Sequence, residues 1–201
     1  MTDKYILQGG GEHARVVLDA LLTSGADVAG IFDPKHEGEL FGVKQLGAYN
    51  KNFEPDALAI VAIGNNEVRK RAVASTRHRF GIVIHPSVIL SPFAETGTGT
   101  MLLHGAIIQA QTRIGQHVII NTGARVDHDC VIGDYVHIAP GAVLCGTVEV
   151  GEGSLIGAGS ILLPGIKIGA WATVGAGSVV TRNVSARTIV AGNPARETNK
   201  S

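Results

Sequence analysis

From Val88 to Asn183 the apolar positions recur every six residues, through sixteen hexads with no insertion or deletion. The third residue of each hexad runs Leu90, Thr96, Leu102, Ile108, Ile114, Ile120 and on to Val180, and is aliphatic in fifteen of the sixteen. Four residues later comes a slot, from Ala94 to Ser178, that holds Ala, Ser, Thr or Val in thirteen of fifteen cases, with Cys130 and Ile166 as the others. A period of six fits neither an α-helix nor a plain alternating strand, so the repeat predicts one stacked architecture. The simplest is a parallel β-helix in which each hexad is a short strand and a turn, with coils spaced at roughly 4.8 Å. Gly97, Gly115, Gly133, Gly151 and Gly169 fall eighteen residues apart. Three hexads then make one coil, and sixteen make a triangular prism of a little over five coils. The glycine series is read as marking a turn whose backbone conformation a Cβ would resist.

The first eighty residues follow a different rhythm. Lys4 to Leu7 is a short apolar strand, Gly9-Gly10-Gly11-Glu12-His13-Ala14 a glycine turn, and Arg15 to Leu22 an amphipathic helix. Val28 to Phe32 is a second strand ending at Asp33, Leu58 to Ile63 a third ending in Gly64-Asn65-Asn66, and Gly81 to Ile84 a fourth before His85-Pro86. The turn has the form G-x-G-x-x-A, in which glycines let a phosphate approach the backbone and the helix N-terminus offers unpaired N–H groups. Asp33, twenty-two residues after Gly11, stands where an acidic residue suits a ribose hydroxyl. The alternative is a tight turn that only packs helix on strand. Since about one βαβ half precedes the prism, a nucleotide or nucleotide-sugar site is favoured over a nicotinamide site.

Composition narrows the partners. Seventeen basic and seventeen acidic residues leave no net charge, which removes a general electrostatic case for nucleic acid or an anionic membrane. No apolar run is long enough to span a bilayer and Met1 to Leu7 has no signal-peptide core, so a cytoplasmic protein is expected. Two cysteines, Cys130 and Cys145, imply no disulfide framework. Five of the nine aromatics precede Phe80, which sets an ordinary α/β segment against a thin prism with room for slim side chains.

The GGGEH turn, IVAIGNNEVRKRA at 60–72, NTGARVDHDCVIGDYVHIAPGAVLCG at 121–146 and the closing AGNPAR together resemble one family across nearly the whole chain. It is the bacterial sugar acetyltransferase family that includes the UDP-4-amino-sugar N-acetyltransferases of bacillosamine synthesis and the sialic acid O-acetyltransferases. The fold this implies is a Rossmann-like α/β N-terminal domain (residues 1–86), an all-β left-handed parallel β-helix of hexapeptide repeats (87–185) and a tail (186–201). Left-handedness is implied by the resemblance alone, since parallel crossovers are otherwise right-handed almost everywhere. A homotrimer with active sites between subunits is implied as well, with acetyl-CoA as co-substrate.

His128 breaks an apolar, glycine-rich surface between Asp127 and Asp129, giving an imidazole with a carboxylate to fix its tautomer and raise its basicity. Gly146 stands one coil later, so a residue without a side chain should stack above His128 and leave room for substrate. By resemblance His128 is the general base and Asp129 its partner, with Asp127 the competitor. Gly146 then lies beside the acetyl group, His137 positions the donor, and Asn121 matches another polar active-site position. The nucleotide sugar is assigned to Gly10, Gly11, Glu12, His13, Asp33, Lys35, Gly64 and Asn65. Acetyl-CoA is assigned to His137, Gly146, Ala158, Ala176 and Arg196, where Arg182, Arg196 and Lys200 form a basic group suited to its phosphates.

His36, His78 and His117 are expected to be solvated or packed, His85 structural, and His104 is left without a role. Cys130 sits in the small inward slot and should be inert, while Cys145 adjoins the proposed cleft. A zinc site of the β-helix type needs two closely spaced histidines on one prism face plus a third across a subunit boundary. No such pair is expected here, and no metal. The function expected is acetyl transfer to the 4-amino group of a UDP-linked amino-dideoxy sugar. O-acetylation of sialic acid or another sugar, and a non-catalytic nucleotide-sugar scaffold, are the alternatives.

Overall fold

In the computed structural model, which describes residues 3–198, an α/β region leads into a parallel β-solenoid of about six turns. From Val83 to Val180 successive solenoid strands of a face lie eighteen residues apart, as Ile107–Ile108 pairs with Arg125–Val126, so three hexads do make one coil. The strands build three faces. One carries Ile107–Ile108 and its neighbours above and below, a second Val131–Ile132, and a third Ile119–Ile120 and His137–Ile138. The hexad aliphatics and the small slot fill the interior in one continuous cluster from Leu102 to Val190. Polar members of the small slot use their hydroxyls locally, since Thr100, Thr112, Ser154 and Ser160 each donate to a corner carbonyl fifteen residues on. Thr96, the break in the aliphatic series, leaves its buried Oγ1 without a partner among the described residues.

The glycine series has a different cause from the one expected. Gly97, Gly115, Gly133, Gly151 and Gly169 are not among the residues with positive φ. They lie where successive coils nearly touch, and a Cβ on Gly133 would stand 2.8 Å from the backbone nitrogen of Glu152. The left-handed turn residue comes two positions later and recurs every hexad, and Gly99, Gly105, Gln111, His117, Gly123, Asp129, Tyr135, Gly141 and Thr147 all have positive φ. Non-glycine residues there cost roughly 1–2 kcal/mol each.

In the N-terminal region, β1 (Lys4–Gln8) lies between β2 (Asp27–Phe32) and β5 (Leu58–Val61) in a parallel three-stranded sheet. The short β3 (Glu39–Leu40) and β4 (Val43–Lys44) form a separate hairpin. Helix α1 (Glu12–Thr23) buries Ala14, Val17, Leu18 and Leu21, a helical stripe, against this sheet, and α2 (Asn66–Ser75) follows β5. The fourth strand, Val83–Ile84, does not join the sheet. It pairs with Met101–Leu102 and so opens the third solenoid face. The other end also differs from a plain tail, because Ile189–Gly192 pairs with Thr173–Val174 and Ala195–Glu197 folds back antiparallel upon it.

The two regions share one core. Met101, Leu103 and Ile119 point outward from the solenoid and pack in a single buried cluster with Leu7, Leu18, Leu21 and Ile60. At roughly 2–5 kcal/mol for truncating one such side chain, this seam fixes how the N-terminal sheet sits on the solenoid. No helix among the described residues is long and apolar enough to cross a membrane.

Candidate active site

His128 stands at the corner between the strand Arg125–Val126 and the strand Val131–Ile132. Asp129 takes the left-handed position of that corner, φ 57°, a conformation Asp tolerates better than most residues. The kink turns its carboxylate onto the neighbouring ring, and His128 Nδ1 donates to Asp129 Oδ2 over 2.7 Å. A carboxylate only accepts, so the proton sits on Nδ1 and the lone pair on Nε2. Asp127 is occupied otherwise, since its Oδ1 accepts the backbone N–H of His128 at 2.8 Å. The hydrogen bond that His128 donates to Asp129, reinforced by the charge of Asp127, raises the His128 pKa above its ordinary 6.5. Thr112 Oγ1 donates to the Asp127 carbonyl at 2.6 Å and ties the corner to the coil before it.

Gly146 does lie one coil on, but the space it leaves is filled by His128 itself. A Cβ there would meet the imidazole at 2.6 Å from Cε1 and 2.7 Å from Nε2. The glycine is a seat for the ring, which fixes its plane, and substrate must approach from the exposed side, where 57% of the His128 side chain is open.

His137 lies on the face that meets the N-terminal region, away from the His128 corner. Thr122 N–H donates to Asn121 Oδ1 at 2.8 Å, so the Asn121 amide Nδ2 is the group that faces His137 Nε2, 3.0 Å away. That nitrogen therefore accepts, and the ring is neutral with its proton on Nδ1, toward the Gly64 backbone. Burial first, then His13 and Arg69, hold the His137 pKa down to about 4. The His13 ring lies 6.1 Å from it, is itself lowered to about 4 by burial and Arg69, and leaves Nε2 buried without a partner among the described residues. A cleft of about 450 Å³ opens here, lined by Gly64, Asn65, Asn66, His137, Trp171 and Arg187 among others.

The glycine turn is less free than its sequence implies. Gly10 N–H donates to Asp33 Oδ2 at 2.7 Å, Lys35 N–H donates to Asp33 Oδ1 at 2.8 Å, and His36 Nδ1 lies 3.2 Å from the same Oδ1. Burial works against the Asp33 carboxylate, yet these bonds prevail and its pKa is lowered. Gly11 caps α1 without a side-chain hydrogen bond, so the first-turn N–H groups have no side-chain cap. Gly64 packs beside His13, and Asn65 caps α2 by accepting from Val68 N at 3.0 Å.

Residues 4–76 match the family described as PglD N-terminal domain, and residues 111–146 and 147–182 match bacterial transferase hexapeptide repeats. Perosamine N-acetyltransferase from Caulobacter crescentus, solved as a histidine-to-asparagine variant in complex with CoA and GDP-perosamine, is 35% identical over 100% of this chain and 99% of its own, with a TM-score of 0.95. The chain belongs to the bacterial sugar acetyltransferase family. The acetyltransferase domain of PglB from Neisseria gonorrhoeae FA1090 is 32% identical, covering 98% of this chain and 100% of that one, with a TM-score of 0.92. UDP-N-acetylbacillosamine N-acetyltransferase from Bacillus subtilis (strain 168) is 42% identical over 109 residues, or 47% of this chain. That match spans 49% of the relative's own length.

Within this sugar acetyltransferase family member, the predicted site residues fall into separate groups. Ala158 and Ala176 lie exposed at one corner, stacked by the absence of a Cβ on Gly157, while Arg182 and Arg196 line a small hollow at the end of the solenoid. Lys200 lies outside the described residues. Cys130 is buried, donates to the Cys145 carbonyl at 3.3 Å, and has its thiol pKa pushed up by burial to about 11. The expectation of no close histidine pair is corrected by His85 and His104, whose rings stack with centroids 3.7 Å apart. His85 Nδ1 is taken by Ser87 and His104 Nε2 by Asp19, and no group of three metal-ligating side chains converges among the described residues. Sequence reasoning missed Arg69, Trp171 and Arg187. The one tryptophan, held at φ 60° and flat on Gly153, was the available signal for the second of these.

Proposed function

We propose that the protein transfers the acetyl group of acetyl-CoA to the 4-amino group of a UDP-linked amino-dideoxy sugar, with His128 as general base. The observation that carries this reading is the imidazole seated on Gly146 and oriented by Asp129, in a chain that also holds a glycine turn at the start of α1. The sugar amine attacks the thioester carbonyl carbon, and Nε2 of His128 accepts the proton the amine loses. The tetrahedral intermediate collapses by breaking the C–S bond, and the proton passes to the departing thiolate. The Gly146 N–H has no backbone acceptor among the described residues, which leaves it free to donate to the developing oxyanion.

Acetyl-CoA is placed along His137, Gly146, Ala158, Ala176 and Arg196, and the nucleotide at Gly11, Glu12, His13, Gly64 and Asn65. Gly10, Asp33 and Lys35 shape that turn from behind. The His128 corner and the His137 cleft lie on different sides of one solenoid, so a complete site needs two copies. The corner is flanked by exposed apolar side chains suited to a second copy, with Phe93 68%, Ile89 63% and Leu163 39% exposed. A homotrimer working in the cytoplasm, where both substrates are made, completes the reading.

A GDP-linked amino sugar is the second reading, favoured by the end-to-end similarity to the Caulobacter enzyme that binds GDP-perosamine. The deciding experiment assays UDP- and GDP-linked 4-amino sugars and free sialic acid with acetyl-CoA, following thiol release. Transfer to the UDP sugar alone supports the first reading, and transfer to sialic acid alone overturns both. Binding of a nucleotide with no thioester cleavage for any acceptor would make the protein a scaffold.

A further inference from the structure

Arg69 on α2 is fully buried, and no carboxylate among the described residues pairs with it. Its guanidinium spends its donors on neutral oxygens of both regions. Nε donates to the His117 carbonyl at 2.9 Å, and the two terminal nitrogens donate to the Ile63, Gly64 and Tyr135 carbonyls and to Asn66 Oδ1 at 2.7–3.1 Å. One wall of the 450 Å³ cleft is the turn Gly64–Asn66, and the other begins at Tyr135–His137. The same cation thus grips both walls. An apolar side chain would take a donor away from each of these five oxygens, and a lysine, being a point charge, cannot reach them all. A buried charge with no counter-ion is costly to keep unless it serves something.

We infer that Arg69 is a positioning residue for the nucleotide-sugar acceptor: it sets the width of the cleft between the Gly64–Asn66 turn and His137, and lends its unbalanced positive charge to the binding of the diphosphate. The inference rests on the acceptor-site reading above. Its charge acts through the turn it holds, without touching the ligand. The pKa values of the rings around it run the same way, since Arg69 is a cause, after burial, of the lowering of His13, His117 and His137.

The test compares Arg69→Met and Arg69→Lys with the wild type in three measurements. These are UDP affinity by calorimetry, the KM for acetyl-CoA, and the titration of His137 by NMR. In R69M the affinity for UDP should fall by about ten- to hundredfold, the loss of a charge-assisted contact network. The KM for acetyl-CoA should change far less than the UDP affinity, because His137 alone of the residues assigned to acetyl-CoA borders this cleft, and the His137 pKa should rise while burial, the larger cause, keeps it below the ordinary 6.5. R69K should keep the low His137 pKa and recover UDP affinity only in part. If R69M does not fold, R69K carries the test, because it retains the charge while losing the grip on both walls. A folded R69M that binds UDP like the wild type, or either variant weakening both substrates equally, would overturn the inference. A wild type that binds neither UDP nor GDP would refute the acceptor-site reading instead, while the His137 titration would still judge the positioning role.

Discussion

Two histidines nine residues apart, His128 and His137, share a fold and a strand period but are driven in opposite directions. His128 sits at an exposed corner against a carboxylate and its pKa is raised. His137 is enclosed between the solenoid face and the N-terminal region, near a buried cation and another imidazole, and its pKa is held down to about 4. One is an exposed ring held through Nδ1 by a carboxylate, and the other a neutral ring that keeps its lone pair for Asn121. The difference comes from neighbours, since the hexad places both side chains outward from the same kind of coil. Half a coil separates them, which sends them to different sides of the prism and makes a neighbouring copy the natural meeting place.

The largest effect should come from breaking the first member of the pair. General-base assistance is worth on the order of 10²–10⁴ in rate, so His128→Ala should lose about that much kcat while acetyl-CoA binding persists. Steady-state kinetics with a calorimetric titration of CoA would check both halves, and full activity would end the assignment. Gly146→Ala comes next. Its new Cβ would stand 2.6 Å from the imidazole, so the ring must leave its seat. Misplacement by about 1 Å costs on the order of a hundredfold, with the fold and its melting temperature kept. If the variant retained wild-type kcat, the seat would not matter.

Asp129→Asn is milder and more diagnostic. Losing the charged hydrogen bond should cost about tenfold in kcat/KM. Because Asp129 raises the His128 pKa, its removal lowers that pKa, and the acid limb of the pH–rate profile should move to lower pH. An Asp127→Asn variant keeps an acceptor for the His128 N–H and should move the limb less. A larger shift for Asp127→Asn than for Asp129→Asn would reverse the partner assignment.

How far the sequence reached follows from what kind of interaction each residue makes. The solenoid was legible because its period is set by inward aliphatics, which only a repeating coil can satisfy. The VDHDC turn stood out because charge in an apolar strip has few structural uses, and what could be read from it was the pairing of His128 with Asp129. The spacing located Gly146 but not its purpose, since whether a gap admits a substrate or a neighbour's ring is decided by side-chain direction. Gly97 and its partners were assigned to the wrong cause for a similar reason, because close approach of coils and positive φ both select glycine. Arg69 stayed hidden in a charged run, NEVRKR, where one cation in three turns inward and only packing reveals which. His85 and His104 meet because they lie about one coil apart, which brings residues distant in the chain onto the same corner of neighbouring coils.

The second member of the pair has its own consequence, smaller but readable without any substrate. His13 and His137 have folded-state pKa values of about 4, below the ordinary 6.5 of an unfolded chain. Between those two values the unfolded state binds more protons than the folded one, so stability must fall as pH drops through that window and is fully present above it. His128 works the other way, contributing below its unfolded value and losing that contribution as pH rises, but it is too exposed to weigh much. Urea denaturation at intervals between pH 7 and pH 4.5 should therefore show a slope that flattens in His137→Gln, which cannot take up the proton. An unchanged slope in that variant, together with a His137 resonance that titrates near 6.5, would show that the two histidines differ in position and not in protonation.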